Sequence, residues 1–185
     1  MRKLKNKELA RISVENYKKS KKTPIVVVLD NIRSALNVGS VFRNSDAFRV
    51  EKIYLTGITP SPPNNDIRKS ALGSTESVTW EKISEINDVI GKLKSEGYLI
   101  CSVEQTDKSF LLNEYIHTNK PIALIFGNEI NGVQQHILDI SDLSIEIPQF
   151  GTKHSLNISV SSGIVLWDLF NKFFNYSKVN SSINF

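Results

Sequence analysis

The chain contains a single cysteine, Cys101, among its 185 residues. A disulfide within the chain is therefore excluded, and a chain without a disulfide framework is typical of a reducing compartment. Cys101 lies in an apolar run, where cysteine usually acts as a small buried hydrophobe, and we predict that role for it. Because a chain of this length buries roughly two thirds of its unfolded surface without cross-links, we expect one domain held together by an apolar core.

Long apolar runs are also missing. No stretch approaches the roughly 20 apolar residues that a membrane-spanning helix needs, and the basic N-terminus is not followed by the apolar segment of a signal peptide. We therefore expect no membrane association and a cytoplasmic location.

The sequence lacks the motifs of several enzyme classes. It has neither the glycine fingerprint of dinucleotide-binding proteins nor the phosphate-loop lysine motif, and no Cys or His pair at metal-ligand spacing. These absences argue against nicotinamide chemistry, nucleotide hydrolysis and a metal site. His154 lies beside Ser155, but without a nucleophile elbow this pair argues weakly for a hydrolase. We expect His117 and His136 to be exposed.

Positive charge is concentrated at the N-terminus. The whole chain carries 23 basic and 19 acidic residues, and residues 1–22 hold nine of the basic residues against two Glu, so the remainder has a net negative charge. Leu9, Ile12 and Tyr17 predict a short amphipathic helix in this arm. A basic arm on a nearly neutral body fits binding to a phosphate backbone; the alternative is a solvated tail that only aids solubility.

The rest of the chain alternates predicted strands with predicted helices. The segments 24–30 and 121–127 are almost continuously apolar, as expected for strands buried on both faces, and further strands are predicted at 52–57, 98–104 and from Leu143. This alternation predicts an α/β fold with a mostly parallel sheet and helices on both faces.

Three polar clusters follow the apolar strands, at residues 31–43, 127–132 and 149–157. In parallel sheets, ligands bind beyond the carboxyl ends of the strands, and these clusters are therefore expected to converge there. The first cluster opens a helix that Asn37 or Ser40 is placed to cap. Asn37, Gly39 and Arg43 would then lie near a helix N-terminus, a favourable place for an anion such as phosphate; Arg43 as an ordinary surface arginine is the alternative.

Residues 145–169 are the most informative stretch. A short strand ends at Pro148, a polar loop follows, and a helix then begins that is apolar nearly all round and is expected to be buried. An ordinary strand, loop and core helix would explain the pattern. However, helix capping needs one polar side chain, and this loop supplies five, which indicates a ligand. They are Thr152, Lys153, His154, Ser155 and Asn157.

The three clusters, in this order, resemble the motifs of the SpoU family, also called the TrmH family, of knotted RNA ribose methyltransferases. The first motif is matched by LDNIRSALNVGSVFRNSDAF, with Asn37, Gly39 and Arg43 at the family spacing. The second is matched by ALIFGNEINGV, with Gly127 and Glu129, and the third by IEIPQFGTKHSLNISVSSGI. The resemblance covers residues 24–174.

The resemblance implies a homodimer, a C-terminal trefoil knot and transfer of a methyl group from S-adenosylmethionine to a ribose 2′-hydroxyl of structured RNA. It also implies that the backbone around four residues lines the cofactor pocket: Val103, Gly127, Ile147 and Leu156. Arg43, from the partner subunit, would reach the reacting hydroxyl, and four polar residues would position these groups: Asn37, Glu129, Ser155 and Asn157. Since guanidinium keeps its proton at working pH, we expect Arg43 to act chiefly as a phosphate clamp.

The resulting prediction is an RNA 2′-O-ribose methyltransferase with three regions: a basic arm at 1–22, a methyltransferase domain at 23–174 and a tail at 175–185. The short arm favours tRNA over ribosomal RNA as the substrate. A ribosomal RNA methyltransferase, a non-catalytic RNA-binding module of the same fold and a small-molecule enzyme of the doubly wound class are the alternatives.

Overall fold

A computed structural model describes residues 1–118 and 120–180. Residue 119 and residues 181–185, the end of the predicted tail, lie outside this description. The helices and strands follow one another in this order: a 3₁₀ turn (Asn6–Leu9), α1 (Val14–Lys19), β1 (Thr23–Asp30), α2 (Ala35–Ala47), β2 (Val50–Thr56), α3 (Asn65–Ala71), α4 (Ser74–Ser77), β3 (Trp80–Lys82), α5 (Ile86–Ser95), β4 (Leu99–Val103), β5 (Phe110–Leu111), β6 (Ile122–Phe126), α6 (Gln135–Ile140), β7 (Leu143–Glu146) and α7 (Ile158–Asn180).

The strands form one sheet in the order β3-β2-β1-β6-β4-β7-β5, and its strand pairings are parallel throughout the described residues. The α/β fold with a parallel sheet is therefore confirmed. Strand β1 lies between β2 and β6, with Val27 in register with Ile53 and Leu124. Its position inside the sheet explains its continuously apolar sequence, because both faces of β1 are covered.

Helices cover both faces of the sheet. Ile25, Val27 and Leu29 of β1 belong to the core that also contains residues of α2, α3 and α7. Val26 and Val28 face the second core, which is built with residues of α5 and α6. Alternate side chains of one strand thus enter different cores, as the period of two along a strand requires.

Helix α7 is only partly buried in the single chain. Val165, Leu166 and Leu169 are 0% exposed, whereas Val160 is 49% and Trp167 56% exposed. The expectation that this helix is buried all round is therefore wrong for the isolated chain, because the sheet covers only one of its apolar faces. The helix runs without interruption to Asn180, past the predicted domain boundary at residue 174.

The N-terminal arm is anchored by one side chain. Tyr17 is 4% exposed and belongs to the core formed on α2, and its hydroxyl donates to the carbonyl oxygen of Ser45 at 3.5 Å. Leu9 and Ile12 remain 39% and 44% exposed. The predicted amphipathic helix is wrong in extent, because Ala10 takes a left-handed conformation and separates the 3₁₀ turn from α1.

Two further expectations about single residues are decided by packing. Cys101 is 0% exposed, as predicted, and burial raises the pKa of its thiol. His117 is only 7% exposed, so its expected exposure is wrong. Its ring centroid lies 3.9 Å from that of Phe173 on α7, and this helix covers the histidine from a part of the chain more than fifty residues away.

No helix within residues 1–118 and 120–180 has the length and apolar character needed to cross a membrane.

Candidate active site

The carboxyl ends of β4, β6 and β7 meet the start of α7 around a cleft of about 730 Å³. All four residues predicted to line a cofactor pocket line this cleft: Val103, Gly127, Ile147 and Leu156. Val103 ends β4, and Gly127 directly follows β6. The second and third polar clusters therefore converge where the rule for parallel sheets places them.

The predicted positioning residues are joined by a chain of hydrogen bonds. Asn37 donates its amide to Glu129 Oε1 at 3.2 Å, and its Oδ1 accepts the amide of Asn157 at 3.2 Å. Asn157 Oδ1 in turn accepts the backbone N–H of Ser159 at 2.8 Å and its hydroxyl at 2.6 Å. Residues from all three clusters are thus fixed relative to one another. Ser155 lines the cleft as well.

Glu129 holds the start of α2. Its carboxylate accepts the backbone N–H of Arg33 at 2.9 Å and that of Ser34 at 3.1 Å. Burial acts to raise the pKa of Glu129, but hydrogen bonds from these backbone groups, from its own N–H and from the Asn37 amide outweigh that effect and lower the pKa. Glu129 is therefore ionised at neutral pH, and it is suited to orienting its neighbours rather than to taking up a proton.

The cap of α2 differs from the predicted one. Ser34 is the N-cap, and its hydroxyl accepts the N–H of Asn37 at 3.3 Å. Because the cap lies three residues before Asn37 and six before Ser40, Asn37 lies in the first turn of the helix and its side chain is free to join Glu129 and Asn157. The predicted caps Asn37 and Ser40 are therefore wrong.

Gly39 is needed for helix packing. A Cβ at this position would lie 2.4 Å from the carbonyl oxygen of Ile67 and 2.1 Å from the hydroxyl oxygen of Ser70, both on α3. Gly39 is buried within α2. Helix α3 occupies the space beside Gly39, and the expected anion near the start of α2 stays a prediction.

Arg43 is exposed on α2 and is not among the residues that line the cleft of the single chain. The neighbouring Asn44 donates its amide to the carbonyl oxygen of Ser159 at 2.9 Å and to the hydroxyl of Ser162 at 3.1 Å. These bonds hold α2 against α7. Arg43 thus directly precedes the residue that joins α2 to the partly exposed helix α7.

The loop after β6 is tightly organised. Asn128 and Gly132 pair through two backbone hydrogen bonds of 3.1 and 2.9 Å, and Asn128 also donates its amide to the carbonyl oxygen of Asn31 at 2.8 Å. A Cβ on Gly127 would lie 2.2 Å from the carbonyl carbon of Gly132. Glycine at 127 is therefore required for this turn, which forms one wall of the cleft.

Sequence reasoning missed two cleft residues at the end of β4. The carboxylate of Glu104 accepts the N–H of Val133 at 2.9 Å and that of Gln105 at 2.9 Å. Gln105 donates its amide to the carbonyl oxygen of His154 at 2.7 Å. Glu104 thus holds the loop after β6, and Gln105 holds the loop before α7. The available signal was their position, since both directly follow an apolar strand.

Negative charge dominates the cleft. Glu104, Glu129 and Glu146 line it, and none of its described lining residues is Lys or Arg. A cleft with this charge favours a cationic ligand over a phosphate. Among the described residues, no group of three or more His, Cys, Asp or Glu is placed to hold a metal ion.

Relatives of this chain are found among RNA methyltransferases. An uncharacterised tRNA/rRNA methyltransferase of Borreliella burgdorferi is 31% identical over 156 residues, covering 84% of this chain and 67% of that protein. The 23S rRNA (guanosine-2′-O-)-methyltransferase RlmB of Neisseria meningitidis serogroup B is 30% identical over 145 residues, covering 77% of this chain and 56% of that protein. The chain thus spans about two thirds or less of the length of these relatives.

Two solved structures have a similar fold. The TrmH/SpoU tRNA-modifying enzyme of A. aeolicus superposes with a TM-score of 0.79 at 26% identity, over 92% of this chain and 88% of that one. The rRNA methyltransferase of Sinorhizobium meliloti, solved with bound AdoMet, gives a TM-score of 0.74 at 24% identity, over 82% of this chain and 58% of that one. The model of the SpoU rRNA methylase family matches residues 24–167, and the chain belongs to this family.

Proposed function

We propose that this chain transfers a methyl group from S-adenosylmethionine to a ribose 2′-hydroxyl of structured RNA, with tRNA as the substrate. Family membership supports methyl transfer to RNA, and the RlmB relative supports the ribose 2′-oxygen as the acceptor. The observation that carries the proposal is the hydrogen-bonded chain of Glu129, Asn37 and Asn157 beside the cleft. It joins side chains from all three polar clusters, and two of them, Glu129 and Asn157, line the cleft.

The cleft fits S-adenosylmethionine in volume and in charge. Its 730 Å³ lies within the usual range for small-molecule sites. Ile130, Ile147 and Leu156 supply apolar surface, and the turn at Gly127 brings backbone groups to the cleft wall. A sulfonium and an ammonium group are both cationic, and the carboxylates of the cleft complement them.

The residues of this chain mainly have to align the acceptor. When bound, S-adenosylmethionine supplies an activated methyl group: the ribose oxygen bonds to the methyl carbon, the carbon–sulfur electron pair stays on sulfur, and the hydroxyl proton passes to solvent or to a phosphate oxygen. Asn157 and Ser155 line the cleft and would orient the nucleotide, while Glu129 fixes Asn37 and Asn157. Such alignment supplies much of the rate enhancement.

We further propose that the active unit is a homodimer. Val160, Ile164 and Trp167 form an exposed apolar stripe on α7, with exposures of 49%, 37% and 56%. A contiguous apolar face of this kind marks an interaction surface, and a two-fold interface is self-complementary. Arg43 directly precedes Asn44, which binds α7, and it lies outside the cleft of its own chain. We therefore propose that Arg43 of the partner subunit clamps the RNA phosphate next to the target ribose.

The N-terminal arm would bind the RNA backbone. Residues 1–22 carry nine basic and two acidic residues, and the buried Tyr17 ties the arm to the α2 side of the body. The A. aeolicus tRNA-modifying enzyme supports tRNA as the substrate. The RlmB relative supports 23S ribosomal RNA as the second candidate.

Three further parts of the proposal concern organisation. We propose the arm, domain and tail boundaries at 1–22, 23–174 and 175–185, and the trefoil knot that the family resemblance implies. We also propose a cytoplasmic location, supported by an RNA substrate and by the single buried Cys101.

One experiment tests both the activity and the shared site. Labelled methyl transfer is measured on total RNA from a strain that lacks the protein, and the modified nucleotide is mapped. Arg43→Ala and Asn157→Ala are expected to lose transfer while they retain the fold and the dimer. If Arg43 acts on the partner's cleft, a refolded equimolar mixture of the two variants regains about one quarter of wild-type activity, since half of the dimers are mixed and each has one intact site.

The alternatives give different results. Full activity of Arg43→Ala alone would remove this arginine from the mechanism, and absence of rescue in the mixture would place both residues in one subunit's site. A non-catalytic RNA-binding module would show no heat of binding with S-adenosylmethionine. A small-molecule enzyme would show no salt-sensitive RNA binding.

A further inference from the structure

The three carboxylates of the cleft differ in how far their charge is already compensated. Glu129 accepts two backbone N–H groups at the start of α2 and the Asn37 amide. The N-terminal end of a helix carries a partial positive charge. Much of the charge of Glu129 is therefore balanced within the protein, and the remaining negative potential comes chiefly from Glu104 and Glu146.

Glu104 has a fixed position and spare acceptor capacity. Each of its oxygens accepts one backbone N–H, Oε1 from Gln105 and Oε2 from Val133, both at 2.9 Å. A carboxylate has about four acceptor sites, so roughly half remain unused by these bonds. Gly132, with φ +64°, allows the close approach, because a Cβ there would lie 2.1 Å from Oε2. These two hydrogen bonds thus hold the Glu104 carboxylate in a fixed position at the cleft wall.

Reactant and product of the proposed reaction differ in charge. The sulfonium of S-adenosylmethionine is positive. After the methyl carbon has bonded to the ribose oxygen and the carbon–sulfur electron pair has returned to sulfur, the thioether of S-adenosylhomocysteine is neutral. A negative group that faces the cleft therefore attracts the donor more strongly than the product, with no change of shape.

We propose that Glu104 is a specificity-determining residue that makes the cleft prefer the cationic donor over its neutral product. This inference rests on the proposed function, because it takes S-adenosylmethionine as the ligand. Glu104 has a second role as a positioning residue, since it braces the loop that contains Gly127 and Gly132. The two roles predict different changes in ligand affinity.

The test compares the affinities of the intact protein for three ligands by calorimetry: S-adenosylmethionine, S-adenosylhomocysteine and sinefungin, in which an ammonium group replaces the methylsulfonium. In Glu104→Gln, affinity for the two cationic ligands is expected to fall roughly two- to threefold more than affinity for S-adenosylhomocysteine, as for unit charges about 8 Å apart in water. Glu104→Asp, which keeps the charge, should restore the wild-type ratio. Glu114→Gln, an exposed site that does not line the cleft, is the matched control and should change neither affinity.

An equal loss of affinity for all three ligands in Glu104→Gln would leave only the bracing role and overturn the proposal, as would unchanged affinities. If Glu104→Gln does not fold, the test is made with the wild-type protein. Raising the salt concentration must then lower the preference for the cationic ligands, because salt screens the electrostatic attraction and leaves the other contacts unchanged. A preference that is independent of salt overturns the proposal. Failure of the wild-type protein to bind any of the three ligands would instead refute the proposed function.

Discussion

Replacing Gly39 with alanine tests whether the contact between α2 and α3 sets the position of the motif residues on α2. An alanine Cβ would lie 2.1 Å from Ser70 Oγ, 2.4 Å from the carbonyl oxygen of Ile67 and 3.0 Å from the backbone nitrogen of Ala71. The serine hydroxyl can rotate away, but the backbone of α3 cannot. Helix α3 would have to shift by roughly 1 Å to restore an ordinary contact of about 3.5 Å.

The expected cost follows from two opposing terms. Overpacking of a tight contact costs roughly 1–3 kcal/mol, whereas alanine gains about 0.5–1 kcal/mol over glycine inside a helix. We expect Gly39→Ala to lower the free energy of unfolding by roughly 1–2 kcal/mol. It should also lower methyl transfer, because α2 carries Asn37 and Arg43.

Gly91 provides the matched control. It lies within α5, and a Cβ there would meet nothing within 4 Å. Gly91→Ala is therefore expected to raise the free energy of unfolding by about 0.5–1 kcal/mol, with unchanged activity. Denaturant unfolding of both variants is measured at the same protein concentration, because the stability of the proposed dimer would depend on concentration. Stability of Gly39→Ala equal to or above that of the wild type would refute the packing role.

Two other perturbations test single side chains. Glu129→Gln should remove the charge that stabilises the start of α2 and lower stability by roughly 0.3–1 kcal/mol. It should also reduce methyl transfer roughly tenfold, because a neutral amide holds the Asn37 side chain less strongly than a carboxylate does; unchanged turnover at saturating RNA would contradict the orienting role. Burial, reinforced by the charge of Lys172, lowers the pKa of His117 to about 4, below an unfolded value of about 6.5. The unfolded chain therefore binds the proton first as the pH falls, so stability should be full above about pH 6.5 and decrease by up to about 3 kcal/mol towards pH 4. Unfolding measured against pH should show a smaller loss over this interval in His117→Phe; an unchanged profile would assign it to other groups.

The fold class was predictable because its signals are local. The apolar runs 24–30 and 121–127 are buried strands β1 and β6, which lie side by side in the sheet. The site was predictable in part for the same reason. Residues that directly follow parallel strands share one edge of the sheet, so the clusters at 127–132 and 149–157 could be placed there from their strands alone. Val103 was implied only by the family resemblance.

Other features depended on contacts between distant parts of the chain. The bond between Asn37 and Asn157 joins residues 120 positions apart, and the cover over His117 comes from Phe173. The periodicity of a segment records whether a side chain is buried, but not which element buries it. The exposed stripe of α7 illustrates this limit. The sequence pattern correctly indicated a second apolar face on this helix, but only the structure shows that no other described element of the chain covers that face.

The sequence by itself determined the parallel sheet with its two covered faces, the order of the three motifs and the family to which they belong. Only the tertiary structure decided that Ser34 caps α2, that Gly39 serves the contact with α3, and that Glu104 holds the loop after β6. The physical reason is that burial patterns and turn preferences depend on residues that are neighbours along the chain. A close helix contact, or a carboxylate that fixes a loop, depends instead on a partner that is distant in sequence and meets it only in the folded chain.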